Sequence, residues 1–232
     1  MKRVRIIEYQ AGNLLSVARA FEYLGCVVEL AGRPEQIAGA DSLVLPGVGA
    51  FGDGISSLRE RELVEPILAY IATGKPFLGI CLGMQLLLDS SQEFGQHQGL
   101  GVIPGVVTRL PSQPGVKLPN IGWHPLFPRG GESESAWAGT ILSKVATERD
   151  MYFVHSYYCI PNNSEVILSF SSYKDTTYCS SISWKNIFAC QFHPEKSAKD
   201  GLQVYKNLAL RIKSTRGDIG GENRRKEIRS KV

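Results

Sequence analysis

The chain has 232 residues, 43% of them hydrophobic, enough for one large core, and a formal net charge of +4. That charge sits at one end: residues 211–232 hold eight Lys/Arg against three Asp/Glu, and the rest hold 18 basic and 19 acidic side chains, so the body carries no nucleic-acid footprint. No apolar run of 18 residues predicts a membrane span, no secretory pattern opens Met1–Glu8, and five cysteines without C-x-x-C argue against a disulfide framework and for the cytoplasm.

Val4–Ile7 reads as a strand, followed by a loop over Glu8–Gly12 and a helix over Asn13–Leu24. Asn13 is expected to cap that helix, and Gly25 suits the position past its end. Strands follow at Cys26–Ala31 and Asp41–Leu45, then the glycine loop Pro46–Gly54 and one long amphipathic stretch, Ile55–Ala72. Phe77–Ile80 is the next strand, running into a helix-like segment over residues 82–90. From Gly99 to Phe127 prolines interrupt short β-prone runs, so hairpins are expected. Met151–His155, Val166–Phe170 and Ile187–Phe192 are expected to return to the sheet, and Lys199–Ile212 to close the fold as a helix with Leu202, Tyr205, Leu208 and Ala209 on one face. Alternating strands and helices predict an α/β fold with an open, mostly parallel central sheet flanked by helices, plus an antiparallel hairpin region. Residues 1–213 form the expected domain, and 214–232 a basic tail predicted to be disordered.

Chemistry concentrates at Phe77-Leu-Gly-Ile-Cys-Leu-Gly-Met-Gln85. Gly79 and Gly83 flank Cys81 in the spacing of a nucleophile elbow, where a sharp strand-to-helix turn exposes one reactive side chain. Unpaired N–H groups at a helix start there would favour thiolate over thiol. A buried structural cysteine is the plainer alternative. A thiolate needs a base and a group to orient it. His193, in Gln191-Phe-His-Pro-Glu195, ends an apolar run as Cys81 does, which brings both to the carboxyl edge of a parallel sheet. Glu195 is placed to hold the imidazole. His155 lines a pocket or closes the core, and His124 and His97 are expected to be exposed. Cys26, Cys159, Cys179 and Cys190 fall on apolar β runs as inert thiols. No Cys/His spacing fits zinc, and neither metal nor cofactor is expected. The glycine loop at 46–54 either cradles phosphate or points an N–H at an oxyanion beside the Leu82 N–H. It lacks the Lys-Ser/Thr of a P-loop, which favours the oxyanion role.

These residues resemble the class I (triad-type) glutamine amidotransferases and, among them, the glutaminase subunits of imidazole glycerol phosphate synthases. The resemblance spans Val4 to Ile212 and rests on Pro46-Gly-Val-Gly-Ala-Phe51, Gly79-Ile-Cys-Leu-Gly-Met-Gln85, Gly122-Trp123, Tyr152-Phe-Val-His-Ser-Tyr157 and Gln191-Phe-His-Pro-Glu-Lys-Ser197. It implies a Cys81–His193–Glu195 triad that hydrolyses glutamine through a γ-glutamyl thioester. It further implies glutamine contacts at Gly49, Gln85, Ser156 and Tyr157, and an oxyanion hole from the Val48 and Leu82 N–H groups, with Val48 turning inward when the acceptor binds. The implied partner is a (β/α)8-barrel cyclase, similar to the HisF type, in a heterodimer that receives the ammonia, with Tyr9, Asn13, Trp123 and Lys196 near the interface. The chain departs from the usual Pro-His-(Met/Ile)-Gly-Trp-Asn in reading Pro119-Asn-Ile-Gly-Trp-His124. Trp137–Leu142 and Tyr178–Ile182 are similar to relatives that supply ammonia for sugar amidination in surface-polysaccharide synthesis, which is the alternative acceptor. A cysteine peptidase on a related fold fits Gln85 and His-Pro-Glu poorly. A silent binding subunit would not be expected to keep all three triad residues.

Overall fold

The computed structural model describes residues 1–9, 12–112, 115–131 and 136–212; the tail expected at 214–232 lies outside them. The chain opens with β1 (Arg3–Ile7), α1 (Leu14–Tyr23), β2 (Val27–Ala31), α2 (Pro34–Ile37) and β3 (Leu43–Leu45). Two helices follow, α3 (Phe51–Glu60) and α4 (Val64–Ala72), where the sequence suggested one. The chain turns through Glu62 at φ 56°, and the fully buried Leu63 anchors the break. Pro66 lies within the first turn of α4, where no N–H is required.

Next come β4 (Phe77–Ile80), the single-turn α5 (Leu82–Gln85), β5 (Leu88–Ser91), β6 (His97–Gln98), β7 (Ile103–Arg109), β8 (Asn120–Pro125) and β9 (Phe127–Pro128). The helix expected over 82–90 therefore ends after one turn, because Leu88–Ser91 pairs with β7 instead. The chain closes through β10 (Asp150–His155), β11 (Tyr157–Pro161), β12 (Ile167–Tyr173), β13 (Thr176–Trp184), β14 (Ile187–Cys190) and α6 (Ala198–Arg211).

The main sheet has eight strands in the order β2-β1-β3-β4-β14-β13-β12-β9. Its first five strands run parallel, and the remainder add antiparallel. Phe77–Ile80 and Ile187–Cys190 are buried throughout, as strands covered on both faces must be. Residues alternate between two cores: Phe77, Ile187 and Ala189 pack beneath α3 and α4, while Leu78, Ile80 and Phe188 pack with residues of α1 and α6. β10 does not join this sheet as expected; it pairs antiparallel with β8 alone, Tyr152 opposite Trp123 and His155 opposite Asn120. No helix among the described residues is long and apolar enough to cross a membrane.

The topology makes the site. β1, β3, β4 and β14 are consecutive neighbours and parallel. The segments leaving their carboxyl ends carry Tyr9, Gly47, Cys81 and His193 in turn, so four remote pieces of sequence meet on one edge.

Candidate active site

Cys81 follows β4 directly and holds φ 52°, ψ −107°, a strained backbone for a residue with a Cβ, of the kind that costs about 1–3 kcal/mol. The flanking glycines make it possible. A Cβ on Gly79 would lie 2.8 Å from the Gly83 carbonyl oxygen, and one on Gly83 would overlap the Leu45 carbonyl. Because α5 is one turn long, it offers the thiol little of a helix dipole. The Cys81 Sγ faces the Val154 carbonyl oxygen at 3.9 Å and accepts from Gln191 Nε2 at 3.6 Å.

His193 is fixed through its backbone: its N–H donates to the Tyr152 carbonyl (2.9 Å), and its own carbonyl accepts from Ser197 Oγ (2.7 Å). Nδ1 bonds Glu195 Oε1 at 2.8 Å, with both side chains 2% exposed. Nε2 is buried with no hydrogen-bond partner among the described residues, and Cys81 is the group beside it that most strongly affects its titration. Burial alone would lower the His193 pKa, but Cys81, with Glu195 behind, raises it to about 10. Burial would likewise raise Glu195, but His193 and Asn13 hold it below the usual carboxylate range. The arrangement favours an imidazolium against the Glu195 carboxylate. Glu195 is itself oriented by Asn13 Nδ2 on Oε1 (3.2 Å) and the Tyr205 hydroxyl on Oε2 (3.1 Å). Asn13 therefore makes no side-chain cap to α1; its amide is spent on Glu195.

A cavity of about 230 Å³ opens beside Cys81, lined by Val48, Gly49, Gln85, Glu93, Val154, His155, Ser156 and Tyr157 among others. Gln85 Nε2 is committed to the Tyr157 carbonyl (2.9 Å) and Gln191 Oε1 (3.0 Å). Glu93 accepts the Phe51 N–H at 2.7 Å, and burial raises its pKa. Neither Glu93 nor Gln191 stands out in the sequence as a pocket residue: Glu93 lies in an ordinary polar turn, and Gln191 was only part of the His-Pro-Glu motif. A larger cavity, about 1140 Å³, lies at the opposite end of the sheet among Lys75, Trp184, Asn186 and Arg211. It is remote from Cys81 and His193, whereas Cys81 lines the smaller cavity.

The pocket's far wall is an uncharged network. Burial holds His155 down to about 4. Its Nδ1 meets the Tyr157 carbonyl (3.0 Å) and its Nε2 meets Asn120 Nδ2 (3.3 Å), while Asn120 Oδ1 meets His124 Nε2 (2.7 Å). His124 is thus half-buried rather than exposed, as is His97, whose ring packs where a Cβ on Gly52 would sit. Cys26, Cys159, Cys179 and Cys190 are buried and unpaired, and burial pushes all four thiols up.

The residues expected at an interface separate. Trp123 is 50% and Ile121 59% exposed. The Tyr152 ring lies edge-on to Trp123 (5.9 Å) and beneath the Lys196 ammonium (5.3 Å). Tyr9, expected near the same interface, is 2% exposed, and its hydroxyl points inward at Gly47. The Leu82 N–H, expected to bind an oxyanion, donates to the Gly47 carbonyl at 3.3 Å.

Among the described residues no cluster of His, Cys, Asp and Glu has the makings of a metal site. The family model "Glutamine amidotransferase class-I" matches residues 5–212. The chain is 47% identical over 209 residues to imidazole glycerol phosphate synthase subunit HisH 1 of Legionella pneumophila (strain Lens), covering 88% of this chain and 97% of that protein. It is 43% identical to the HisH subunit of Moorella thermoacetica, covering 90% and 94%. Among solved structures, PurLQS from Thermotoga maritima superposes with a TM-score of 0.70 at 17% identity, covering 91% of this chain and 99% of that one, a likeness of fold alone. The chain belongs to the class I glutamine amidotransferase family, within its group of imidazole glycerol phosphate synthase HisH subunits.

Proposed function

We propose that the chain is the glutaminase subunit of an imidazole glycerol phosphate synthase, and that Cys81, His193 and Glu195 are its catalytic residues. The observation that carries this is the Cys81–His193–Glu195 line opening onto a cavity of about 230 Å³, a size suited to one amino acid. The thiolate attacks the side-chain carbonyl carbon of glutamine, forming a C–S bond and an oxyanion. As the intermediate collapses, the C–N bond breaks and the His193 imidazolium gives its proton to the leaving nitrogen, releasing ammonia and leaving a γ-glutamyl thioester. Neutral His193 then takes a proton from water. The hydroxide adds to the thioester, the C–S bond breaks, and glutamate departs with the thiolate restored. Glu195 keeps the imidazole in register throughout. In the pocket, Glu93 accepts the α-ammonium of the substrate, while Gln85 and the chain at Gly49, Ser156 and Tyr157 hold the rest.

The ammonia passes to a (β/α)8-barrel cyclase of the HisF type, which makes imidazole glycerol phosphate and aminoimidazole-carboxamide ribonucleotide. The likeness to HisH subunits at 47% and 43% identity supports this acceptor over sugar amidination. The exposed Ile121–Trp123 surface supports the docking face. Tyr152, whose ring sits under Trp123, bonds His193 through its own carbonyl, so the partner touches the triad through one residue. A nucleophilic cysteine among five unpaired thiols suits the reducing cytoplasm.

Glutamate release by the purified chain, alone and mixed with its organism's cyclase barrel and the ribulosyl acceptor analogue, tests the assignment. The isolated chain is expected to be nearly silent, since one oxyanion donor is engaged by Gly47, and strongly stimulated in the complex. No stimulation by a barrel that works on free ammonia overturns it. Trp123→Ala is expected to weaken the complex about tenfold to a hundredfold by titration calorimetry and leave the melting temperature unchanged. The domain is proposed to end at α6, where Ile212 is buried; deleting 214–232 should leave melting and stimulated turnover at wild-type values.

A further inference from the structure

The Tyr9 hydroxyl has no part in that chemistry, yet it is a buried polar group without a hydrogen-bond partner among the described residues. Such groups are rare because each forfeits its bond to water with nothing in return. It lies at the end of the segment leaving β1, and its oxygen occupies the space that a Cβ on residue 47 would need. Glycine at 47 therefore brings the phenol against the backbone of the loop leaving β3. The same residue's carbonyl takes the Leu82 N–H, the donor directly behind the nucleophile.

An oxyanion cannot use that N–H until the Gly47 carbonyl has left it. Turning the Gly47–Val48 peptide removes the carbonyl and swings the Val48 N–H towards the vacated place. The carbonyl then lies in a buried site and requires a donor of its own. We propose that the Tyr9 hydroxyl is that donor: a positioning group that receives the Gly47 carbonyl when the oxyanion loop turns. The inference rests on the glutaminase reading. It gives a role to a phenol that is buried with no hydrogen-bond partner among the described residues, since the bond belongs to the turned state. Burial and the charge of Cys81 both push the Tyr9 ionisation up, so the hydroxyl keeps its proton and remains a donor. With the hydroxyl as its donor, the turned Gly47 carbonyl is not left unpaired in its buried site.

Tyr9→Phe removes the hydroxyl and keeps the ring. In the complex with the cyclase barrel and acceptor analogue, kcat for glutamate release is expected to fall about tenfold with KM for glutamine unchanged, the loss of one buried hydrogen bond. Alkylation of Cys81 by iodoacetamide, which builds no oxyanion, is expected at the wild-type rate. The melting temperature of the free chain is expected to be equal or higher. Wild-type turnover in Tyr9→Phe overturns the proposal. Slowed alkylation also overturns it, by placing the hydroxyl on the thiol instead, as does a lower melting temperature with all rates reduced together. A wild-type complex that releases no glutamate sinks the glutaminase reading and this inference with it, an outcome separable from a loss confined to the variant.

Discussion

Cys81→Gly is expected to abolish glutamate release while the protein melts no earlier than wild type. Loss of the nucleophile from a triad of this kind lowers turnover by roughly 10⁴ to 10⁶-fold. The fold is expected to respond in the opposite sense. At φ 52°, ψ −107° a side chain costs about 1–3 kcal/mol, and glycine releases that strain while its freer unfolded chain returns about 0.5–1 kcal/mol. Cys81→Ala loses activity equally but keeps the strain, so glycine should melt above alanine by circular dichroism. In the complex, both variants should still support cyclisation from added ammonium salts, since the cyclase is untouched. A Cys81→Gly protein that melts well below Cys81→Ala would mean that the elbow is not strained.

Gly83→Ala adds one methyl group and is expected to cost as much function as removing the nucleophile. The new Cβ would overlap the Leu45 carbonyl oxygen and lie 2.8 Å from its carbon. Leu45 ends β3, a strand hydrogen-bonded on both sides, so the backbone has nowhere to retreat. Overpacking usually costs about 1–3 kcal/mol; against fixed backbone the upper end or beyond is expected, as a fall in urea midpoint at unchanged slope. Any folded protein would carry α5 displaced from β4, with the Leu82 N–H out of line and glutamine turnover lost. Wild-type turnover in Gly83→Ala would refute the close approach of β3 and the elbow.

What could be read in advance follows from how local each signal is. Cys81 between two glycines, and His193 before Pro-Glu, announce themselves within five residues, because the turn and the hydrogen bond they serve are short-range. The sheet's parallel half was equally legible, since each buried strand is a continuous apolar run. The misreadings occurred where a distant partner decides. Asn13 has the chemistry of a helix cap, yet Glu195, 182 residues away, takes its amide. Leu88-Asp-Ser-Ser91 follows directly on an apolar stretch that suits a helix, until β7 offers backbone partners. β10 was assigned to the main sheet because its alternation cannot say which strand it pairs with. That the Tyr9 hydroxyl turns inward at Gly47 is equally out of reach of the sequence, because it depends on the packing of β1 beside β3. Pro66 was the one overlooked local clue, marking the start of α4 inside what read as a single helix.

The order of the strands has a consequence for biogenesis. β14, which carries His193 at its end, inserts between β4 and β13, so its slot stays open until nearly the whole domain has been translated. Cys81 leaves the ribosome about 110 residues ahead of His193, an interval of roughly 5–20 s at ordinary elongation rates. During that interval the thiol has no imidazole beside it and β4 has one unpaired edge. On the proposed triad a nascent chain cannot squander glutamine, and the same window is when the edge is open to wrong pairing. Glutamate release consequently reports that the last parallel strand has been seated, a finer measure of a completed fold than helix content alone.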